Sequence, residues 1–87
     1  MKERTVVVAS AAGLHARPAA TFTSAAAGTG VKIAKGDGAP VDASSILSVM
    51  ALDVAHGDTV TISVNAEDET ALDALAQILG TDQDRQE

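Results

Sequence analysis

Cysteine, tryptophan and tyrosine are absent from this 87-residue chain, and Phe22 is its one aromatic residue. Without cysteine there is no disulfide framework, no thiolate metal site and no cysteine nucleophile. The six basic residues (Lys2, Arg4, Arg17, Lys32, Lys35 and Arg85) are scattered, with no aromatics interleaved among them. Nucleic acid is therefore not an expected partner. No stretch nears the roughly 18 apolar residues of a membrane span. Met1-Lys2-Glu3-Arg4 runs directly into a short strand-like segment and lacks the pattern of a signal peptide. The expectation is a cytoplasmic protein with no direct membrane insertion. Nothing in the sequence calls for a metal or a cofactor.

What is present is an ordinary apolar share of 46%, drawn mostly from Ala, Val, Leu and Ile, and a formal charge of −6. A chain of this length builds one domain, placed at residues 1–80, with no room for a second core. The polar stretch 81–87 is expected to form a frayed tail. Small size also argues against a deep substrate cavity. Such a protein offers a surface to something larger.

Periodicity and punctuation give seven elements. Arg4 to Ala9 holds Thr5-Val6-Val7-Val8, a β-branched run that favours a strand. Ser10 to Gly13 reads as a loop. Ala16 to Ala27 is alanine-rich and helical, stopped by Gly28 and Gly30, with Pro18 in the first turn, where a missing N–H is tolerated. Val31–Lys35 and Ala39–Asp42 flank Gly36-Asp37-Gly38 as a hairpin. Ser44-Ser45 can cap a short helix carrying Ile46, Leu47, Val49, Met50 and Leu52. Thr59 to Asn65 alternates, with Val60, Ile62 and Val64 on one face. A last helix runs from about Glu67 to Leu79, with Leu72, Leu75, Ile78 and Leu79 along one side and Gly80 as its stop. Glu67, Asp68 and Glu69 suit its positive N-terminal end. This order, βαββαβα, predicts a two-layer α+β fold with an antiparallel sheet.

Chemistry concentrates in Gly13-Leu14-His15-Ala16-Arg17-Pro18-Ala19. Gly13 permits an unusual turn and Pro18 marks the helix start, so His15 falls at or next to the N-cap. Unpaired backbone N–H groups and the helix dipole favour an anion there. Arg17 adds a guanidinium suited to phosphate oxygens. A neutral imidazole beside an anion site is a competent nucleophile towards phosphorus. A lone histidine at a helix start is more commonly a solvated cap. The combination of Gly, His, Arg and Pro at one strand-to-helix junction is what favours the chemical reading.

That segment resembles the phosphorylation-site motif of the HPr family, the histidine phosphocarriers of the bacterial phosphoenolpyruvate-dependent sugar phosphotransferase system. A second region, Ser45-Ile46-Leu47-Ser48-Val49-Met50-Ala51-Leu52 followed by Gly57, resembles the family as well. The likeness extends to about Leu79. It implies an open-faced β-sandwich, a four-stranded antiparallel sheet with three helices on one face. It implies that His15 is phosphorylated at Nδ1 by phosphorylated enzyme I and passes the phosphoryl group to sugar-specific enzyme IIA domains. The carrier would be stoichiometric, not an enzyme, and a monomer. Arg17, with the helix N-terminus at Ala16 and Arg17, would stabilise the phosphate. Ala16, Ala20, Ile46, Leu47 and Met50 match the family's docking surface.

Ser45 matches a serine that a regulatory kinase phosphorylates in some relatives, and it also reads simply as a helix cap. Many relatives carry basic residues where this chain has Ser24, Ala27, Ser44 and Ser48, so docking is expected to rest more on Arg17 and apolar contact. His56 reads as a solvated histidine at the end of the second helix, and Asp53 and Asp58 form no recognisable triad with it. Besides sugar uptake, a parallel regulatory phosphotransfer branch, a regulatory protein that docks to enzymes or transcription factors, and a small enzyme remain as functions, the last least favoured.

Overall fold

A computed structural model describes residues 1–65 and 69–81. Its elements are β1 (Lys2–Val7), α1 (Ala16–Ala26), β2 (Lys32–Lys35), β3 (Val41–Asp42), α2 (Ile46–Ala51), β4 (Thr59–Val64) and α3 (Thr70–Leu79). The strands form one sheet in the order β1-β4-β2-β3, with every neighbouring pair antiparallel. The expected order of elements, the antiparallel sheet and the three helices are all present.

β4 is one of the two inner strands, paired with β1 on one side and β2 on the other. Val60, Ile62 and Val64 turn into the core, while Thr61 meets Thr5 of β1 on the opposite face at 3.3 Å between hydroxyls. The core joins both layers. Val8, Ile33, Val60, Ile62 and Val64 from the sheet side pack with Phe22 and Ala26 of α1, Val49 of α2, and Leu72, Leu75 and Leu79 of α3. Each fully buried leucine of α3 contributes about 1.5–3 kcal/mol over an exposed one. That stripe presses α3 against β1, β4 and α1.

Element ends differ from the sequence expectation for identifiable reasons. β1 begins at Lys2 and stops at Val7, two residues earlier at each end than predicted, because its partner β4 sets the register from Lys2↔Val64 to Val7↔Thr59. β3 starts only at Val41, since Pro40 has no N–H to give to a ladder. Glu69 sits at the α3 N-cap but does not cap it; its carboxylate lies 2.6 Å from the Arg4 guanidinium instead. Glu67, Asp68 and most of the expected tail, residues 82–87, lie outside the described residues.

Candidate functional site

The chain reaches the site through the segment between β1 and α1. The Val8 N–H donates to the Asp58 carbonyl (2.9 Å) and the Ala9 N–H to the Leu79 carbonyl at the end of α3 (3.0 Å). Gly13 then turns with φ of +67°, a left-handed conformation that glycine adopts without penalty. Leu14 is buried, and its N–H donates to the Val54 carbonyl at 3.0 Å. His15 follows in an extended conformation as the N-cap of α1. It is anchored by buried neighbours on both sides, Leu14 before it and Pro18 and Ala19 after it.

The His15 side chain is 38% exposed and does not cap the helix. First-turn amides of a helix have no acceptor within it, so the N–H groups at the start of α1 remain available to an anion. Nε2 lies 3.5 Å from Oδ1 of Asp53, whose side chain is 87% exposed. Nδ1 makes no hydrogen bond to another described residue. Arg17 is exposed and forms no ion pair with another described residue, so its guanidinium is available to a ligand.

Asp53 is the residue that the sequence did not reveal. An aspartate two places past the end of a helix carries no signal of its own, and its approach to His15 depends on packing between residues 38 positions apart in the chain. Ala16 (φ +52°) and Asp53 (φ +55°) are the two non-glycine residues with positive φ among those described, and they flank the imidazole. Strained backbone of this kind costs about 1–3 kcal/mol and concentrates at functional sites.

The loop behind the site is tied down by Lys35 and Asp58. The Lys35 ammonium donates to the Asp53 carbonyl (2.8 Å) and lies 3.3 Å from Asp58 Oδ2, which also accepts the Ala55 N–H at 2.9 Å. The Ala55 amide first, and the Lys35 ammonium next, hold the Asp58 carboxyl below its ordinary value of 3.8. A lowered folded-state value means that this stabilisation is complete above the ordinary carboxyl range and is lost as pH falls through the lower value. Asp58→Asn should lower Tm at pH 7, and that deficit should shrink on acidification below about pH 4. A deficit that stays constant from neutral to acid pH in thermal melts would contradict the assignment.

His56 departs from the expectation. α2 ends at Ala51, so His56 lies in the following loop, where Nδ1 is 3.2 Å from the Ser10 carbonyl oxygen. Ser45 is the N-cap of α2 and its hydroxyl accepts the Ser48 N–H at 3.3 Å. Ser44, the other candidate cap, donates its hydroxyl to Asp42 at 2.7 Å. Ala16 and Ala20 of α1 and Ile46, Leu47 and Met50 of α2 are all exposed, Leu47 to 80%. α1 packs on α2, and the turn in which the Asp53 N–H donates to the Met50 carbonyl (3.1 Å) links that apolar patch to His15. Among the described residues, no group of three His, Cys, Asp or Glu side chains gathers where a metal could sit.

Comparison with known proteins converges on one family. The family model for the PTS HPr component phosphorylation site matches residues 2–81. A phosphocarrier protein HPr from Streptomyces coelicolor is 48% identical over 82 residues, covering 91% of this chain and 88% of that relative. One from Haloferax volcanii is 41% identical, covering 97% and 99%. The crystal structure of a phosphocarrier protein HPr from Bacillus anthracis superposes with a TM-score of 0.82 at 38% identity, covering 90% of this chain and 95% of the other.

Proposed function

Because this chain belongs to the HPr family of phosphocarriers of the phosphotransferase system, we propose that it accepts a phosphoryl group on His15 Nδ1 from phosphorylated enzyme I and delivers it to enzyme IIA domains in the cytoplasm. The observation that carries this reading is the half-exposed His15 at the uncapped start of α1, with Nδ1 unengaged by the described residues.

Phosphoryl transfer needs positioning and charge neutralisation more than covalent assistance. The Nδ1 lone pair attacks phosphorus in line with the departing donor atom. The backbone amides at Ala16 and Arg17 and the Arg17 guanidinium then face the phosphate oxygens. Stabilisation must stay modest, since a phosphate held too firmly is not passed on. A half-exposed site built from one helix terminus and one free arginine meets that requirement. Docking falls to Ala16, Ala20, Ile46, Leu47 and Met50, an apolar patch suited to a small transient interface. A phosphate on Ser45 would replace a cap hydroxyl with negative charge inside this patch and weaken docking.

The test is incubation with phosphoenolpyruvate and enzyme I, followed by intact mass and phosphorus NMR. One acid-labile, base-stable phosphoryl group is the expected gain. No gain with an active enzyme I, and no transfer onward to any IIA domain, would refute the reading. Arg17→Ala should leave the fold unchanged, because the side chain is exposed. Transfer should slow roughly tenfold, the equivalent of about 1.4 kcal/mol of transition-state stabilisation. Stopped-flow transfer at wild-type speed would remove Arg17 from the site.

A further inference from the structure

We propose that Asp53 is a positioning residue of this carrier: its carboxylate holds the proton of His15 on Nε2, leaving the Nδ1 lone pair to attack phosphorus. The inference deepens the reading of His15 as the phosphoryl acceptor and rests on it for the transfer step.

Three observations place Asp53 in this role. Its Oδ1 is 3.5 Å from Nε2, the ring nitrogen that the proposed chemistry leaves unmodified. Its backbone is held on both sides: the N–H donates to the Met50 carbonyl at 3.1 Å, and the carbonyl accepts the Lys35 ammonium at 2.8 Å. The next residue, Val54, is fully buried and accepts the Leu14 N–H at 3.0 Å. The segment that presents His15 is therefore bonded directly to the segment that presents Asp53. Third, Asp53 adopts φ of +55°, which glycine would occupy with no strain. A strained, exposed aspartate does nothing for the core; what its side chain reaches is the imidazole.

In the neutral ring, one nitrogen carries the proton and the other the lone pair, and the partner of the first decides which. A carboxylate at Nε2 favours the Nε2–H form. When Nδ1 forms its bond to phosphorus, the bond between phosphorus and the donor protein breaks and the donor atom keeps that electron pair. No proton leaves the ring, so the imidazole becomes an imidazolium with its Nε2–H facing Asp53. The carboxylate thus opposes charge that develops during transfer, an interaction stronger after attack than before it.

Asp53→Gly and Asp53→Asn separate this role from a structural one. Both residues tolerate positive φ, so both variants should fold, with Asp53→Gly melting at or above the wild-type temperature. Nitrogen-15 NMR of the neutral ring reads the tautomer directly. The ratio of Nε2–H to Nδ1–H should fall about threefold in Asp53→Gly, a size set by the weakness of exposed charge pairs. Phosphorylation by phosphoramidate, a small donor that needs no docking surface, should slow about threefold or more in both variants and recover partly in Asp53→Glu. An unchanged tautomer ratio in Asp53→Gly would overturn the inference whatever the rates, as would wild-type rates in both variants. If the wild-type protein takes no phosphoryl group on His15, the acceptor reading fails, and the tautomer ratio still decides whether Asp53 orients the ring.

Discussion

His15→Ala should reduce phosphoryl acceptance from phosphoenolpyruvate and enzyme I to background while leaving the fold almost unchanged. The first half follows from chemistry: alanine has no lone pair to offer phosphorus, and the nucleophile is the one group that positioning and charge cannot replace. The second half follows from geometry. Losing an N-cap side chain ordinarily costs about 0.5–2 kcal/mol, yet the His15 side chain makes no cap hydrogen bond. It is also 38% exposed, so little packing is lost. Stability should stay within about 0.5 kcal/mol of wild type, as for surface substitutions generally. Intact mass and a thermal melt on the same preparation check both halves. A folded His15→Ala protein that still gains one phosphoryl group, on His56 or elsewhere, would move the site away from His15.

Gly13→Ala should have the largest effect on stability of the substitutions considered near the site. A Cβ at this position would stand 2.8 Å from the Ala55 Cα and closer still to the Val54 carbonyl oxygen. Both are backbone atoms, so no side chain can swing away to make room. The left-handed φ of +67° adds about 1–2 kcal/mol for any residue with a Cβ, and overpacking adds about 1–3 kcal/mol. A net loss of about 3 kcal/mol would lower Tm by roughly 12–24 °C in a domain of this size. The clash falls on the Val54 carbonyl, which accepts the Leu14 N–H beside His15. Transfer should therefore decline even below the melting temperature. A Tm within about 3 °C of wild type would show that the 13–15 and 53–55 segments separate easily, contrary to the close packing observed.

The proposed acceptor and its support differ in how far they can be read from the chain. Gly13, His15, Arg17 and Pro18 sit within six positions, so the helix start and the anion-binding chemistry it offers depend on local rules of φ, capping and dipole. Alternation in Val60, Ile62 and Val64, and the leucine stripe of α3, are local in the same way and identify the buried faces. Element ends were less legible because they are settled by partners. The register of β4 trims β1, and the Arg4 guanidinium draws Glu69 away from the α3 cap.

Asp53, Lys35 and Asp58 could not be read at all as site residues. None belongs to a motif, and each becomes relevant only when the loop after α2 folds back against Leu14. His56 lies beyond its expected place for the same reason, because four residues (52–55) separate it from the end of α2. Thus the sequence by itself determined the order of elements and the buried faces, and it singled out the histidine proposed as acceptor, all products of spacing along a few turns of chain. Tertiary structure alone decided which carboxylate faces that histidine, and how the backbone behind it is held. The contacts made there by Lys35, His15 and Leu14 join residues 18 to 40 positions apart, and no periodicity encodes a distance that only packing creates.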